Sequence, residues 1–155
     1  MVISLNMRTV IQRVSQASCT IDGKVNGEIK KGYMILVGIC DEDTEEIVEK
    51  MANKIVKLRI NDDENGKMNL NLDAVNGDIL SISQFTLYAD CRKGNRPSFT
   101  GAGNPEHASK MYDYFNEYLR SLGVHVETGV FAADMQIELI NDGPITIVLD
   151  SDTLF

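Results

Sequence analysis

The stretch GYMILVGI, residues 32–39, constrains the fold of this chain more strongly than any other. It is a nearly continuous apolar run, whereas a strand with one face in water alternates apolar and polar residues. It is also far shorter than the roughly 18 apolar residues of a membrane-spanning helix. The run therefore predicts a central strand that is buried on both faces of a sheet.

Other β-prone runs precede and follow this strand. TVIQRVSQASCTI (9–21) alternates in part and predicts a strand with a bend, and DILSISQFTLY (78–88) predicts another long strand. Shorter strands are expected near 124–128, 135–140 and 145–150. Asparagine–glycine pairs are typical of tight turns, and they predict turns at Asn26-Gly27, Asn65-Gly66 and Asn76-Gly77.

Two amphipathic helices interrupt the strands. Asp43 is a good N-cap, and Glu46 completes a capping-box pair with it. The apolar residues that follow at helical spacing are Ile47, Met51, Ile55 and Leu58, and the helix is expected to end near Arg59. In the second helix Asn104 is the predicted cap, Pro105 suits the first position and Gly123 ends the helix. Its predicted buried face comprises Ala108, Met111, Tyr112, Phe115, Leu119 and Leu122.

This order of elements predicts an α/β fold with a single domain over residues 7–155. Two helices are expected to cover a mixed, strongly curved, barrel-like sheet. Met7 opens a better strand pattern than Met1 does. Residues 1–6 are therefore interpreted as a leader or an upstream start.

The distribution of charge narrows the function more than its total does. The formal net charge is −8, which on its own argues against a nucleic-acid-binding protein. A long loop at 89–105 nevertheless carries Arg92, Lys93 and Arg96 with no acid between them. Two interpretations of this loop stay open: a local phosphate-binding site, or an ordinary solvated surface loop. The cysteine count is three, with no C-x-x-C spacing, and this favours a reducing cytoplasm.

Spacing alone does not identify a catalytic group. Ser83 and Thr86 follow a predicted strand, but neither of the histidines, His107 and His125, is paired with them by any motif. The G-x-S-x-G motif of serine hydrolases is absent. No histidine or cysteine spacing fits a metal site, so no bound metal is expected. Two readings stay open: ordinary strand hydroxyls, or a Ser/Thr-nucleophile esterase or peptidase that uses Ser83 or Thr86.

The stretch INDGPITI (140–147) combines a turn signal with a proline that the turn does not need. Asp142-Gly143 already suits a hairpin turn between apolar runs, yet Pro144 follows and removes a backbone donor.

Several stretches together resemble the D-aminoacyl-tRNA deacylase family, bacterial and eukaryotic type. SQFTLYAD (83–90) is similar to one family signature, and NDGPIT (141–146) is similar to the other. KGNRPSF (93–99) and AADMQIELINDGP (132–144) match family text, and the match extends from Met7 to about Ser151. Ala132-Ala133 departs from the Gly-Ala of many members.

The resemblance implies an activity. Members hydrolyse the ester between a D-amino acid and the 3′ end of tRNA, also remove mischarged glycine, and spare L-aminoacyl esters. They are homodimers with active sites at the subunit interface. No cofactor is implied, and no membrane partner.

It also implies roles for named residues. Ser83, Gln84 and Phe85 would hold the terminal adenosine and the scissile carbonyl, and amides near Phe85 and Thr86 would stabilise an oxyanion. The terminal 2′-hydroxyl of the tRNA would assist the attacking water. Phe99 and Ala102 would lie at the edge of the pocket. The candidate acceptor-stem phosphate contacts are Arg92, Lys93 and Arg96.

The second signature would supply the chiral filter. The Gly143–Pro144 bond would be cis, inserted into the pocket of the partner subunit and supported by Arg13, with Asn141 and Thr146 completing the signature. An L side chain would collide with this wall, whereas a D-residue or glycine would not. A non-enzymatic nucleic-acid-binding module of the same fold is the other alternative.

Overall fold

The computed structural model describes residues 6–155, so the predicted leader, residues 1–6, lies almost wholly outside the described residues. Within that range the strands are β1 (Arg8–Ile21), β2 (Lys24–Ile29), β3 (Gly32–Gly38), β4 (Asn61–Asp62), β5 (Met68–Leu70), β6 (Asp78–Ser83), β7 (Val126–Thr128) and β8 (Gln136–Asp150). The helices are α1 (Glu45–Lys57), α2 (Pro105–Ser121) and the short α3 (Ser151–Leu154).

The main sheet is mixed and nearly closes on itself. Its order is β2-β1-β3-β6-β7, and β8 pairs with the other edge of β1. β1 is antiparallel to β2, β3 and β8, whereas β6 is parallel to both of its neighbours, β3 and β7. Asn26 Nδ2 of β2 donates to the Thr128 carbonyl of β7 at 2.7 Å, which brings the two ends together. The predicted barrel-like α/β architecture is therefore confirmed.

The core lies between the sheet and the two main helices. β3 is buried, as the apolar run predicted, and packs with α1 and α2. The cluster includes Ile11, Ile35, Ile79, Val48, Met51, Ile55, Met111, Phe115 and Leu119. No helix within residues 6–155 is both long and apolar enough to cross a membrane.

Both predicted helices form, with two local corrections. Thr44 caps α1, because its Oγ1 accepts from the Ile47 amide, and Asp43 does not. The Asp43 side chain is instead buried and accepts from the amides of Met7 and Cys40. In α2, Asn104 is the cap as predicted.

The second correction concerns the buried face of α2. Leu122 is 40% exposed, because it follows the last residue of the helix as its C-cap. Asn116, which was not predicted to be buried, is only 3% exposed.

The turns are partly where the asparagine–glycine pairs placed them. Asn65-Gly66 does join the β4–β5 hairpin. Asn26-Gly27, however, lies inside β2, and the chain reverses at Asp22-Gly23, whose φ values are 50° and 77°. The predicted strand over 78–88 ends at Ser83, where a 3₁₀ turn over Phe85–Tyr88 begins.

The expectation of two separate strands at the end of the chain is wrong. β8 pairs with β1 along both of its halves, with Val14 opposite Asn141 and Gln12 opposite Thr146. Across this pairing, residues 142–145 of β8 are therefore opposed by a single residue of β1, Arg13. The chain forms a bulge here and does not reverse its direction. We call Asp142–Ile145 the DGPI bulge. Gly143, with φ at 132°, supplies conformational freedom for a bulge and not for a hairpin turn.

Candidate active site

A cavity of about 650 Å³ lies where β3 and β6 end side by side. Parallel strands present their carboxyl ends at one edge, which is where ligands bind in many α/β proteins. The lining comes from the end of β6, the 99–105 segment and the 131–135 segment. It includes Ser83, Gln84, Phe85, Phe99, Ala102 and Gly103.

The end of β6 determines how this wall is built. The Gln84 amide donates to the Val37 carbonyl at 2.8 Å, and the chain then enters the 3₁₀ turn. As first residues of this turn, Phe85 and Thr86 have N–H groups with no acceptor earlier in the turn. The Gln84 side chain donates to Thr86 Oγ1, while Thr86 itself does not line the cavity.

The 99–105 segment closes the opposite side. Phe85 is 58% exposed and contacts Phe99 edge to face, with ring centroids 5.1 Å apart. The Gly103 amide donates to the Ile39 carbonyl, and a Cβ on Gly103 would lie 3.0 Å from that oxygen. Glycine at this position thus lets the segment lie directly against the end of β3.

Sequence reasoning missed the third wall as part of the site. It consists of Phe131, Ala132, Ala133, Asp134 and Met135. A Cβ on Gly129 would lie 2.4 Å from the Met135 sulfur, so the glycine makes room for that side chain. The segment has no periodicity, and the only signal for it was the family-like text AADMQ.

The predicted filter residues form a second cluster on β1 and β8. The Gly143–Pro144 bond is cis, as the resemblance implied. Asn141 Nδ2 donates to the carbonyls of Arg13 and Ile145 at 3.0 and 2.9 Å, which closes the DGPI bulge. Thr146 Oγ1 accepts from the side chain of Gln12 at 3.3 Å.

Arg13 is buried beneath this cluster. Its Nε donates to the Asp142 carbonyl at 3.1 Å, so its contact with the bulge is direct. No residue of the DGPI bulge lines the cavity. Within one subunit, the two predicted halves of the site are therefore separate.

The basic loop is less uniformly cationic than its sequence indicates. Arg92 donates twice to the Asp90 carboxylate, from Nε at 2.8 Å and from Nη2 at 2.7 Å. This hydrogen bonding lowers the pKa of Asp90 to about 2. Lys93 and Arg96 are exposed.

The histidines are engaged elsewhere. His107 Nε2 is 3.0 Å from the Asp43 carbonyl, and His125 Nε2 is 3.0 Å from a Glu127 carboxylate oxygen. Across residues 6–155, neither imidazole bonds to the hydroxyl of Ser83 or Thr86. In the same range, no three acidic, histidine or cysteine side chains cluster as a metal site would require.

Comparison with known proteins gives consistent matches over nearly the whole chain. The family described as D-Tyr-tRNA(Tyr) deacylase matches residues 10–150. Two curated relatives are called D-aminoacyl-tRNA deacylase. The relative from Fervidobacterium nodosum is 54% identical over 149 residues, covering 96% of this chain and 100% of that protein. The relative from Bacillus cytotoxicus is 54% identical over 145 residues, covering 94% and 99%.

Solved structures agree. One, described as the c-Myc DNA unwinding element binding protein, is 40% identical with a TM-score of 0.85 over 92% of this chain and 97% of that one. A probable eukaryotic D-amino acid tRNA deacylase is 17% identical with a TM-score of 0.82 over 94% and 99%, which supports the fold alone. The chain belongs to the D-Tyr-tRNA(Tyr) deacylase family.

Proposed function

We propose that this protein hydrolyses the ester of D-aminoacyl-tRNA, and of glycyl-tRNA mischarged on tRNA(Ala), releasing the amino acid and free tRNA. The observation that carries the proposal is the cavity at the end of β6, in a chain 54% identical to curated D-aminoacyl-tRNA deacylases. Ser83, Gln84 and Phe85 line that cavity and would hold the terminal adenosine and the scissile carbonyl.

The chemistry we assign to the site is positioning and charge stabilisation. The N–H groups of Phe85 and Thr86 are candidate oxyanion donors, because the first residues of a turn have no acceptor within the turn for their N–H groups. The water nucleophile would be assisted by the terminal 2′-hydroxyl of the tRNA. This route needs no metal or cofactor, and the Thr86 hydroxyl, which accepts from the Gln84 side chain, would not act as nucleophile.

We also propose that the site is completed by a second copy of the chain. The DGPI bulge does not reach the cavity of its own subunit. It lies on β8, which pairs only with β1 among residues 6–155, and Ile140 and Val148 of this strand are 53% and 67% exposed. An edge strand of this kind is a strong template for association. In a homodimer, the bulge of one subunit would enter the cavity of the other and exclude L side chains.

The basic loop is the proposed contact to the acceptor stem. Lys93 and Arg96 would bind phosphates directly, and Arg92 would contribute less because Asp90 already occupies its guanidinium. Because the proposed substrate is an aminoacylated tRNA, we propose that the protein acts in the cytoplasm.

Two other functions remain distinguishable. A nucleic-acid-binding role without catalysis is favoured by one observation, the description of the 40% identical structure as a DNA-unwinding-element binding protein. It requires tight nucleic-acid binding without ester turnover. A Ser/Thr-nucleophile esterase requires a covalent acyl-enzyme on Ser83 or Thr86, detectable by mass spectrometry.

The decisive experiment compares D- and L-tyrosyl-tRNA as substrates. We expect rapid loss of the D-ester, little loss of the L-ester, and no effect of a chelator. A D-tyrosyl-tRNA ending in 2′-deoxyadenosine should be cleaved very poorly. Equal cleavage of D- and L-esters would refute the chiral function, and equal cleavage of the deoxy substrate would refute assistance by the 2′-hydroxyl.

A further inference from the structure

Arg13 connects the DGPI bulge to an element far away in the sequence. Its Nη1 donates to the Ile60 carbonyl at 2.8 Å and to Asp62 Oδ1 at 3.1 Å. Its Nε donates to the Asp142 carbonyl at 3.1 Å and lies 3.5 Å from an Asp142 carboxylate oxygen. The side chain is only 7% exposed. One buried guanidinium therefore has a carboxylate on either side, one from the β4–β5 hairpin and one from the bulge.

The hairpin end of this connection is fixed independently of the bulge. Asn61 Nδ2 donates to the buried Tyr33 hydroxyl at 2.9 Å and to the Leu70 carbonyl at 3.2 Å. Ile60 is buried in the core. Asp63 closes the turn by accepting from the amides of Asn65 and Lys67 at 2.9 and 3.0 Å. The hairpin thus offers Arg13 a rigid support attached to the central strand.

We propose that Asp62 is a positioning residue for the DGPI bulge, acting through Arg13; this inference rests on the proposed role of the bulge as the chiral filter. The Asp62 carboxylate holds one end of the guanidinium toward the hairpin, against the attraction of Asp142 on the other side. The position of Arg13, and with it the Asp142 carbonyl, follows from this balance.

The balance matters because a steric filter works by distance. The bulge excludes an L side chain only if its backbone stays close to the α-carbon of the substrate. Without Asp62, the Ile60 carbonyl still accepts from Arg13 on the hairpin side, but Asp142 is the remaining carboxylate. The guanidinium is then held less firmly toward the hairpin and can shift toward Asp142. A bulge tethered by a displaced arginine samples more positions, and the L-ester gains access.

The test compares neighbouring aspartates in the same hairpin. Asp62→Ala and Asp62→Asn remove the charge beside Arg13. Asp63→Asn is the matched control, because within residues 6–155 the Asp63 side chain bonds only to amides of the turn and to Asn69. Asp62 is 52% exposed on its side chain, so both of its variants are expected to fold.

One readout is selectivity. We expect the ratio of kcat/KM for D- over L-tyrosyl-tRNA to fall about fivefold in both Asp62 variants, a modest effect because the Asp62 side chain is 52% exposed and an ion pair with an exposed partner is weak. The kcat for the D-ester should change much less. Asp62→Glu, which restores the charge, should recover most of the ratio.

A second readout needs no tRNA. Amide hydrogen exchange at residues 142, 143 and 145 of the free protein should become faster in the Asp62 variants and stay unchanged in Asp63→Asn. This separates the two ideas: faster exchange in a protein that proves not to discriminate D from L would support the contact while refuting the proposed function. Unchanged exchange in Asp62→Ala, or equal acceleration in Asp63→Asn, would overturn the proposal.

Discussion

The Asp90–Arg92 pair shows how one side chain alters the chemistry of the basic loop. The hydrogen bonds from Arg92 are the main cause of the lowered pKa of Asp90, which falls from an ordinary value of 3.8 to about 2. Because the pKa of Asp90 is lower in the folded than in the unfolded protein, the ion pair contributes to folding stability above pH 3.8. That contribution is lost as the pH falls toward 2. At neutral pH, part of the loop's positive charge is therefore neutralised.

We predict that Asp90 titrates near pH 2 in the folded protein and returns toward 3.8 in Arg92→Ala, as measured by carboxyl NMR. Lys93→Ala is the control, because Lys93 is the weakest of the causes that lower this pKa. An unchanged Asp90 pKa in Arg92→Ala would contradict the pairing.

The same pair bears on tRNA binding. Arg96→Ala should reduce the salt dependence of the tRNA affinity more than Arg92→Ala does.

Gly143 tests the geometry of the DGPI bulge at a single atom. Its φ is 132°, and an added Cβ would lie 2.8 Å from Ile145 Cγ1 and 3.0 Å from the Ile145 amide nitrogen. Gly143→Ala should therefore shift the bulge, at a cost of about 1–3 kcal/mol of strain, and weaken discrimination between D- and L-esters in a deacylation assay.

The matched control for this variant is Gly66→Ala. Gly66 also has a positive φ, of 75°, but nothing lies within 4 Å of the added Cβ. It should lose some stability in thermal unfolding and keep full selectivity. Equal selectivity of Gly143→Ala and the unmutated protein would exclude a steric role for the bulge.

At the scale of elements, periodic patterns predicted the strands and helices well, whereas caps and turns were predicted only in part: Asn104 does cap α2 and Asn65-Gly66 does form a turn. The apolar run of β3 and the spacing in α1 and α2 reflect burial, which the sequence carries directly. Asp43 looked like a cap from sequence, but its carboxylate is used by Met7 and Cys40 from outside the helix. INDGPITI looked like a hairpin because turn chemistry is local, whereas the pairing of both halves of β8 with β1 is not.

The candidate site was predictable for the same reason only in part. Ser83–Phe85, Phe99 and Ala102 were found through family-like motifs, and they do meet at one cavity. The 131–135 wall has no period and no turn signal, so no local rule identifies it. Asp62 is also invisible to such rules, because its contact with Arg13 spans 49 positions in the chain.

The end of α2 offers a stability test that compares a buried leucine of the helix with the exposed leucine at its C-cap. Leu119 is fully buried, whereas Leu122 is 40% exposed. Leu119→Ala should lower the free energy of unfolding by about 2–5 kcal/mol, through lost burial and the cavity left behind. Leu122→Ala should change it by about 0.5 kcal/mol, measured by urea denaturation. Similar losses in the two variants would contradict this orientation of the helix end.

At the scale of the whole molecule, the separation of cavity and DGPI bulge determines what an assembly has to do. The cavity lies at the ends of β3 and β6, and the bulge lies on β1 and β8. A closed two-fold dimer places the same surfaces of both subunits together. One dimer interface along the exposed side of β8 would thus serve two identical sites.

Subunit mixing tests whether the bulge acts on its partner's cavity. A cavity variant, Gln84→Ala, should be inactive, and Gly143→Ala should cleave L-esters because its bulge is displaced. When the cavity variant is added in excess and subunits exchange, nearly every Gly143→Ala subunit acquires a partner with an intact bulge. If the bulge acts in trans, L-ester cleavage per active cavity should fall toward the unmutated level.

The control partner carries both substitutions, Gln84→Ala and Gly143→Ala, and so has no intact bulge. It should leave the cleavage of L-esters unchanged. Persistent L-ester cleavage with the single cavity variant would instead assign the bulge to its own subunit.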